Sequence, residues 1–418
     1  MIYKKLKELC ILKNGYAFKS KNFSQNGVPV IKIKNVKPNK IVLEGLSYVP
    51  QEIADSKLEY KISKGDILIT MTGNRADGSP DSWVGKVALF REEGTYLLNQ
   101  RLAIIRPISD DVDLEYLAYY LSSWETQLYF IKRANSSGGQ ANISPSIVGE
   151  YDIALPNKNV QMKIASLLRD IDLKIRLNAN INNNLAEQIK TICTAWLSDY
   201  APFGGTLPDN WSKTPLSSIA NFVSGYSYKG AELTESNIAM ATIKNFDRKG
   251  GFKLDGYKEI IPSNKLKDTQ HAELFDTLVA HTDLTQNAEV IGNAEPVMSK
   301  SGYSDIVFSM DLVKVVPKNN HISKFLIAAI LQDKKFKAHC LGYVNGTTVL
   351  HLSKKALPEY QLYLPDDLSA LKPLDELVTA LYLQISANIE EITKLETLRD
   401  TLLPKLMSGE LDVSDIGL

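Results

Sequence analysis

The residues able to do chemistry come in pairs. Tyr16 and Lys19 follow a glycine in Asn14-Gly15-Tyr16-Ala17-Phe18-Lys19, and Tyr226 and Lys229 follow one in Ser224-Gly225-Tyr226-Ser227-Tyr228-Lys229. Lys34-Asn35 and Lys244-Asn245 repeat a cation beside a carboxamide. A cation suits a phosphate, and a carboxamide can give and take hydrogen bonds along one adenine edge, although the same residues also fit a solvated strand end. Two loops hold further polar groups. Ser136, Ser137, Gly138, Gly139, Gln140 and Asn142 fall in one, and Asn345, Gly346, Thr347, Thr348 and His351 in the other, offering bare backbone N–H groups beside amide and hydroxyl side chains. Asn74, Arg75, Asn99, Gln100 and Arg101 join the candidates in the first half of the chain, as do Thr282, Gln286 and Asn287 in the second.

This is binding chemistry, and the signatures of catalysis are missing. The chain has no Gly-x-x-x-x-Gly-Lys-Ser/Thr phosphate loop, since the stretch from Gly78 to Lys86 has another spacing. It also lacks Gly-x-Gly-x-x-Gly, His-Glu-x-x-His, Gly-x-Ser-x-Gly and the Asn/Asp-Pro-Pro-aromatic sequence with which adenine methyltransferases hold a flipped base. Asp66 and Asp276 recur in matching places, but each precedes an apolar run without a second acid and lysine nearby, so both read as turn residues. Cys10, Cys193 and Cys340 lie far apart and read as small buried side chains rather than as a disulfide or zinc set.

The pairing of candidates reflects an internal repeat. Shifting the sequence by 210 positions lays Tyr16 and Lys19 over Tyr226 and Lys229, Lys34-Asn35 over Lys244-Asn245, Asp66 over Asp276, and Leu102 to Pro107 over Leu312 to Pro317, with no gap. A shift of 209 then aligns Leu155-Pro156 with Leu364-Pro365. Each copy begins with short β-branched runs between Gly, Asn, Asp and Pro turns, which predict strands over Val28 to Ile33, Asp66 to Thr70, Val84 to Phe90 and Leu102 to Arg106. A helix follows over Leu114 to Ile131, with Leu114, Leu117, Leu121, Trp124 and Leu128 on one face, and its counterpart runs over Ile322 to Phe336.

After each Leu-Pro pair comes a long amphipathic stretch. Its apolar seam reads Val160, Ile164, Leu167, Ile171, Ile175, Ile181, Leu185, Ile189, Ile192 and Trp196 in the first copy, and Leu371, Leu374, Leu377, Leu381, Ile385, Ile392, Leu395, Leu398 and Leu402 in the second. Helices of this kind reach about 50 to 60 Å at 1.5 Å per residue and need a partner along their length. The other copy's helix is the nearest candidate, antiparallel under a pseudo-two-fold axis; packing of each helix on its own domain is the alternative. Asn178, Asn180, Asn182, Asn183 and Asn184 interrupt one seam and Asn388 the other, at positions where polar residues can fix register.

Composition bounds the partners. Net charge is zero over 418 residues, but residues 1 to 40 hold ten lysines against one acid, Glu8, and the last helix is acidic. A lysine-rich end can meet phosphates or simply be solvated. No charge-free apolar run approaches the roughly 20 residues that span a bilayer. The amino end has no signal-peptide core, so a cytoplasmic protein without a membrane partner is expected.

With those residues assembled, the chain resembles the specificity subunits of type I restriction-modification systems over nearly its whole length. The resemblance is carried by Lys64-Gly65-Asp66-Ile67-Leu68-Ile69, by Leu98-Asn99-Gln100-Arg101-Leu102, and by the Ser-Gly loop ending Asn142-Ile143-Ser144. Leu155-Pro156 followed by Gln161, Ile164, Leu168 and Ile171-Asp172 adds to it, as does the closing run from Leu395 to Leu411. The second copy has Pro365-Asp366 and no glutamine matching Gln161.

That resemblance implies an α+β fold. Two mixed α/β target-recognition domains, 1–156 and 201–365, would be joined by long antiparallel coiled-coil-like helices, 157–200 and 366–408, with a tail at 409–418. It implies a non-catalytic chain that reads a bipartite double-stranded DNA target through the candidate residues above. The chain itself would bind no cofactor. Two methyltransferase subunits would carry S-adenosylmethionine, and two motor-nuclease subunits would use ATP and Mg. The alternative is a two-headed adaptor whose heads bind a partner other than nucleic acid.

Overall fold

The computed structural model describes residues 2–75, 82–137, 140–285, 287–318 and 320–413. The chain divides into two compact units, Met1–Leu173 with Leu395–Leu418, and Lys174–Lys394. Each holds the same four-stranded antiparallel sheet. In unit 1 the order is Val87–Leu89, Ile67–Thr70, Leu102–Pro107, Cys10–Asn14; in unit 2 it is Ala294–Pro296, Thr277–Ala280, Leu312–Pro317, Ala220–Ser224. The register agrees too, since Leu102 faces Thr70 and Leu312 faces Ala280. Ile67 to Thr70 and Thr277 to Ala280 are wholly buried, which explains why these strands read as unbroken apolar runs. A second small sheet in each unit contains a parallel pair, Val28–Ile31 with Tyr96–Leu98 and Ile238–Ala241 with Asp305–Phe308.

Gly15 and Gly225 are required by close approach. A Cβ on Gly15 would lie 2.2 Å from the Asn99 carbonyl oxygen, and one on Gly225 would lie 2.0 Å from that of Ser309. The contact is fixed because the next residue donates to the same strand end, Tyr16 N–H to Leu98 at 2.9 Å and Tyr226 N–H to Phe308 at 2.7 Å. Gly225→Ala is expected to destabilise unit 2 by about 3 kcal/mol or more, because backbone must move to admit the methyl group. A thermal melt with an unshifted transition would contradict this.

The helices differ from the sequence reading in one respect. The stretch read as one helix over Leu114 to Ile131 is two, Leu114–Ser122 and Trp124–Arg133, and the counterpart is Lys324–Leu331 and Lys334–Leu341. Ser123 and Asp333 adopt extended backbone and cap the second helix of each pair, so periodicity continues across a real break. Trp124 consequently lies exposed rather than on the buried face.

The long helices run Lys158–Leu197 and Lys372–Ser408, and the unit boundary falls within them. Inside unit 2 their segments pair antiparallel. Asn178 donates to Glu391 at 2.7 Å, and Asn388 donates to Asn182 at 2.7 Å while accepting from Gln384 at 2.8 Å. Inside unit 1, Arg399 pairs with Asp172 at 3.0 Å. Asn178 and Asn388 are buried, so they hold register through satisfied amides. The seam itself is shifted from the one read in sequence. Leu371, Leu374, Val378, Tyr382 and Ile385 are buried, whereas Leu377, Leu398 and Ile181 are exposed.

Gln161 has a structural task. Its amide accepts from Asp113 N–H at 2.8 Å and donates to Asp111 and Pro156 carbonyls at 2.9 Å each, tying the long helix to the start of Leu114–Ser122. Asp375 does the same work in unit 2, accepting from Ser323 N–H at 2.8 Å and from its hydroxyl. The missing glutamine of the second copy is therefore replaced one turn into the helix by a carboxylate.

Unit 2 also contains a cavity of about 580 Å³ lined by Lys190, Gly251, Glu295, Gln332, Lys337 and Tyr382 among others. Glu295 accepts from Gly251 N–H and from Gln332, each at 2.7 Å, and burial pushes its carboxyl from the usual 4.5 up to about 7. The folded chain therefore keeps a proton that the unfolded chain releases. This contribution to stability is complete below about pH 4.5 and is lost as pH rises through 7, at no more than about 1.4 kcal/mol per pH unit. Denaturant titrations of the wild type and Glu295→Gln should converge at low pH, with the variant more stable above pH 7. Parallel profiles would refute the assignment.

Candidate nucleic-acid interface

In unit 1 a small three-stranded sheet gathers candidates that are distant in sequence. The hairpin Asn135–Ser137 and Gln140–Asn142 lies against Thr72–Gly73, with Ala141 opposite Gly73 and Asn142 opposite Thr72. Gly73 is needed there, because a Cβ would lie 2.5 Å from Val84 N. Lys34, Thr72, Asn74, Lys86, Arg101 and Gln140 line one depression of about 210 Å³. Lys34, Asn74, Arg101 and Gln140 are exposed, and Lys86 is only 3% exposed. Arg75, also exposed, donates to the Ala134 carbonyl at 2.8 Å and braces the hairpin.

Unit 2 repeats the arrangement. Thr282–Asp283 pairs with Leu350–Leu352, which pairs with Val344–Asn345, and Thr282 stands opposite His351. Asn287, Asn345, Gly346, Thr347, Thr348 and His351 are exposed around this sheet, as is Lys244 on its own turn. Gly346 has φ +112, and a Cβ there would lie 2.2 Å from the Val349 carbonyl oxygen, so this turn needs glycine. Each unit thus presents one hairpin and one cation-bearing turn to solvent.

Comparison with known proteins finds relatives of one kind. Residues 2–187 match the model of the type I restriction modification DNA specificity domain. That stretch falls just short of half the chain and lies mostly within unit 1. The chain is 25% identical over 378 residues to the type I restriction enzyme MjaIX specificity subunit of Methanocaldococcus jannaschii, covering 84% of this chain and 79% of that one. The match to the MjaX specificity subunit of the same organism, 25% over 215 residues, spans 49% of each, so there the chain covers about half its relative's length. The crystal structure of the M. genitalium S subunit shares the fold, with a TM-score of 0.54 at 18% identity over 97% of this chain and 95% of that one.

Several of the candidates prove to be internal. Asn35 is buried; its oxygen accepts from Lys32 N–H at 3.0 Å and its amide donates to the Val42 and Glu44 carbonyls at 2.9 and 3.3 Å. Asn245 is buried likewise, bonded to Thr242 N–H at 2.8 Å and the Lys253 carbonyl at 2.7 Å. Both amides close a turn and cannot also pair with a base. Tyr226 is buried with its hydroxyl bonded to Glu232 and Ser263, and Thr282 is buried and donates to Asp311 at 2.9 Å. Tyr16 is half-buried, its ring packed on Phe18 and Tyr60 under Lys57.

The remaining candidates divide simply. Lys19, Gln100 and Lys229 are exposed, while Asn142 is half-buried in the hairpin and Asn99 is half-buried opposite Tyr16. Gly138, Gly139 and Gln286 lie outside the described residues, as do the side chains of Ser136 and Ser137. The lysine-rich amino end is partly spent within the fold, since Lys4 pairs with Asp111 and both Lys5 and Lys7 with Glu150. Asp66 is a turn residue as read, accepting from Ser63 N–H at 2.7 Å, and also holds Arg106 through two bonds of 2.7 Å.

Lys86 and Thr72 are the residues that sequence reasoning passed over. A signal existed for Lys86, a lysine inside the apolar run from Val84 to Phe90. Thr72 carried none, because only the hairpin pairing brings it to the depression. Among the described residues no cluster of three or more His, Cys, Asp or Glu could hold a metal ion, and no helix is long and apolar enough to cross a membrane.

Proposed function

We propose that this chain is the DNA-reading subunit of a type I restriction-modification complex, with each unit reading one half of a split target. The observation that carries the proposal is the repetition of one solvent-facing hairpin and one cation-bearing turn in two units of a chain whose residues 2–187 match the type I DNA specificity domain. Phosphate contacts would position each unit and base-edge contacts would specify the half-target. The chemistry belongs to partners. Two methyltransferase subunits would supply S-adenosylmethionine and the modifying site, and two motor-nuclease subunits would use ATP and Mg, all in the cytoplasm.

The first long helix offers those partners a surface. In its unit 2 part, Leu177 and Ile181 are each more than 40% exposed at a spacing of four, so they lie uncovered on one face. Net charge is zero and Lys4, Lys5 and Lys7 are engaged internally, which limits counterion release by this chain alone. The isolated chain is therefore expected to bind DNA weakly, and addition of its methyltransferase subunits to confer tight binding. Nanomolar, target-specific binding by the chain alone would count against this. Mapping methylated adenines across the genome with and without the gene tests the whole proposal: loss of one bipartite motif supports it, and an unchanged map refutes it.

A further inference from the structure

The two units treat one equivalent position in opposite ways. Arg101 and Asp311 occupy matching places, since the Arg101 carbonyl accepts from Met71 N–H at 2.9 Å and that of Asp311 from His281 N–H at 2.8 Å. Lys86 matches Asn293 in the same manner, their carbonyls accepting from Thr70 and Ala280 N–H at 2.9 Å each. Thr72 matches Thr282, standing opposite Asn142 where Thr282 stands opposite His351. The side chains then diverge. Thr282 gives its hydroxyl to the Asp311 carboxylate at 2.9 Å, whereas the Thr72 hydroxyl is buried with no hydrogen-bond partner. Where unit 2 has an acid, unit 1 has a guanidinium that can take no proton donor.

Three cations, Lys34, Lys86 and Arg101, line the unit 1 depression, and no carboxylate does among the described residues. At the matching places unit 2 has a carboxylate, Asp311, and a neutral amide, Asn293, which donates to the Asp247 carbonyl at 3.1 Å and accepts from Lys337 at 2.5 Å. We infer that the unit 1 depression seats a single DNA backbone phosphate and that unit 2 has no equivalent seat. This rests on the proposed DNA-reading function and deepens it. A phosphodiester projects from the duplex, carries a full negative charge and only accepts hydrogen bonds, which suits a recess lined by donors. A phosphate brought to the matching place in unit 2 would instead face the Asp311 carboxylate.

The test uses the complex of the full chain with its methyltransferase subunits and a duplex bearing its mapped target. Neutral methylphosphonates are placed one at a time along both half-targets. One position in the unit 1 half-target should weaken wild-type binding about tenfold, and no position should do so through the matching place in unit 2. Arg101→Met should weaken binding to every sequence alike, lower the salt dependence by about one phosphate and abolish sensitivity at that one position. Arg101→Lys should restore part of it, and Lys86→Met should act in the same direction once a melting curve shows it folded. Asp311→Ala should leave the scan unchanged.

A scan whose sensitive position does not depend on Arg101 overturns the inference. So does an Arg101→Met variant that changes base preference instead, which would make Arg101 a base reader. Either result leaves the proposed function standing. Failure of the wild-type complex to bind its target at all overturns both.

Discussion

Replacing Asn74 and Gln140 by alanine relaxes recognition of one half-target and leaves the other half's base preference untouched. Both side chains are exposed at the unit 1 depression, and neither amide is fully used within the chain: Asn74 donates once, to Ser82 at 3.1 Å, and Gln140 is exposed on the hairpin. A base contact of this kind is worth about 1 to 3 kcal/mol, so the expected loss is about tenfold to hundredfold for the correct half-target. Lys244→Ala with Thr348→Ala should produce the reciprocal result in the other half. Asn35→Ala and Asn245→Ala serve as contrasts. Each removes a buried amide that closes a turn, so the expected effect is a stability loss of about 1 to 3 kcal/mol seen by thermal melting. If a methylation map shows both half-targets shifting together in the exposed variants, the units do not read independently.

Lengthening the two long helices together should lengthen only the unread gap between half-targets. The unit boundary falls between Leu173 and Lys174 on the first helix and between Lys394 and Leu395 on the second. Two helical turns, about seven residues, inserted at both places would add about 10 Å to the helices at 1.5 Å per residue. At about 3.4 Å per base pair that is roughly three base pairs. The insertion must be made twice because of the amides. Asn178 with Glu391, and Asn182 with Asn388, lock register within unit 2, while Asp172 with Arg399 does so within unit 1. Inserting in one helix alone, near Asn182, would tear these contacts and expose unsatisfied polar groups, and recognition should fail without a new spacing. A double insertion that alters bases within either half, or leaves the gap unchanged, would show that the helices do not set it.

Much of the fold was legible because the chain is written twice. A constant shift located matching strands, and the structure keeps that shift in backbone pairing, Leu102 with Thr70 and Leu312 with Ala280. The recurrence of glycine at Gly15 and Gly225 was visible too, but the backbone approach that requires it is seen only in the structure. The helix break at Ser123 was not legible, because periodicity carries across it and only the extended backbone of the capping serine reveals it.

The site divides along the same physical line. Sequence by itself determined that the chain carries one arrangement of polar residues twice, that catalytic motifs are missing, and that polar residues interrupt two long apolar seams. These follow from residue type and spacing alone. It did not determine which polar residues face outward. Lys34 and Asn35 are neighbours of equal promise in sequence, yet one is exposed and the other is consumed by three hydrogen bonds to its own turn. Nor did it distinguish Arg101 from Asp311 in consequence, since the effect of each depends on a threonine that the hairpin brings beside it. Local composition dictates which groups a turn or strand carries. Long-range pairing decides whether a given amide or hydroxyl finds its partner inside the fold or must find it outside, and only tertiary structure contains that pairing.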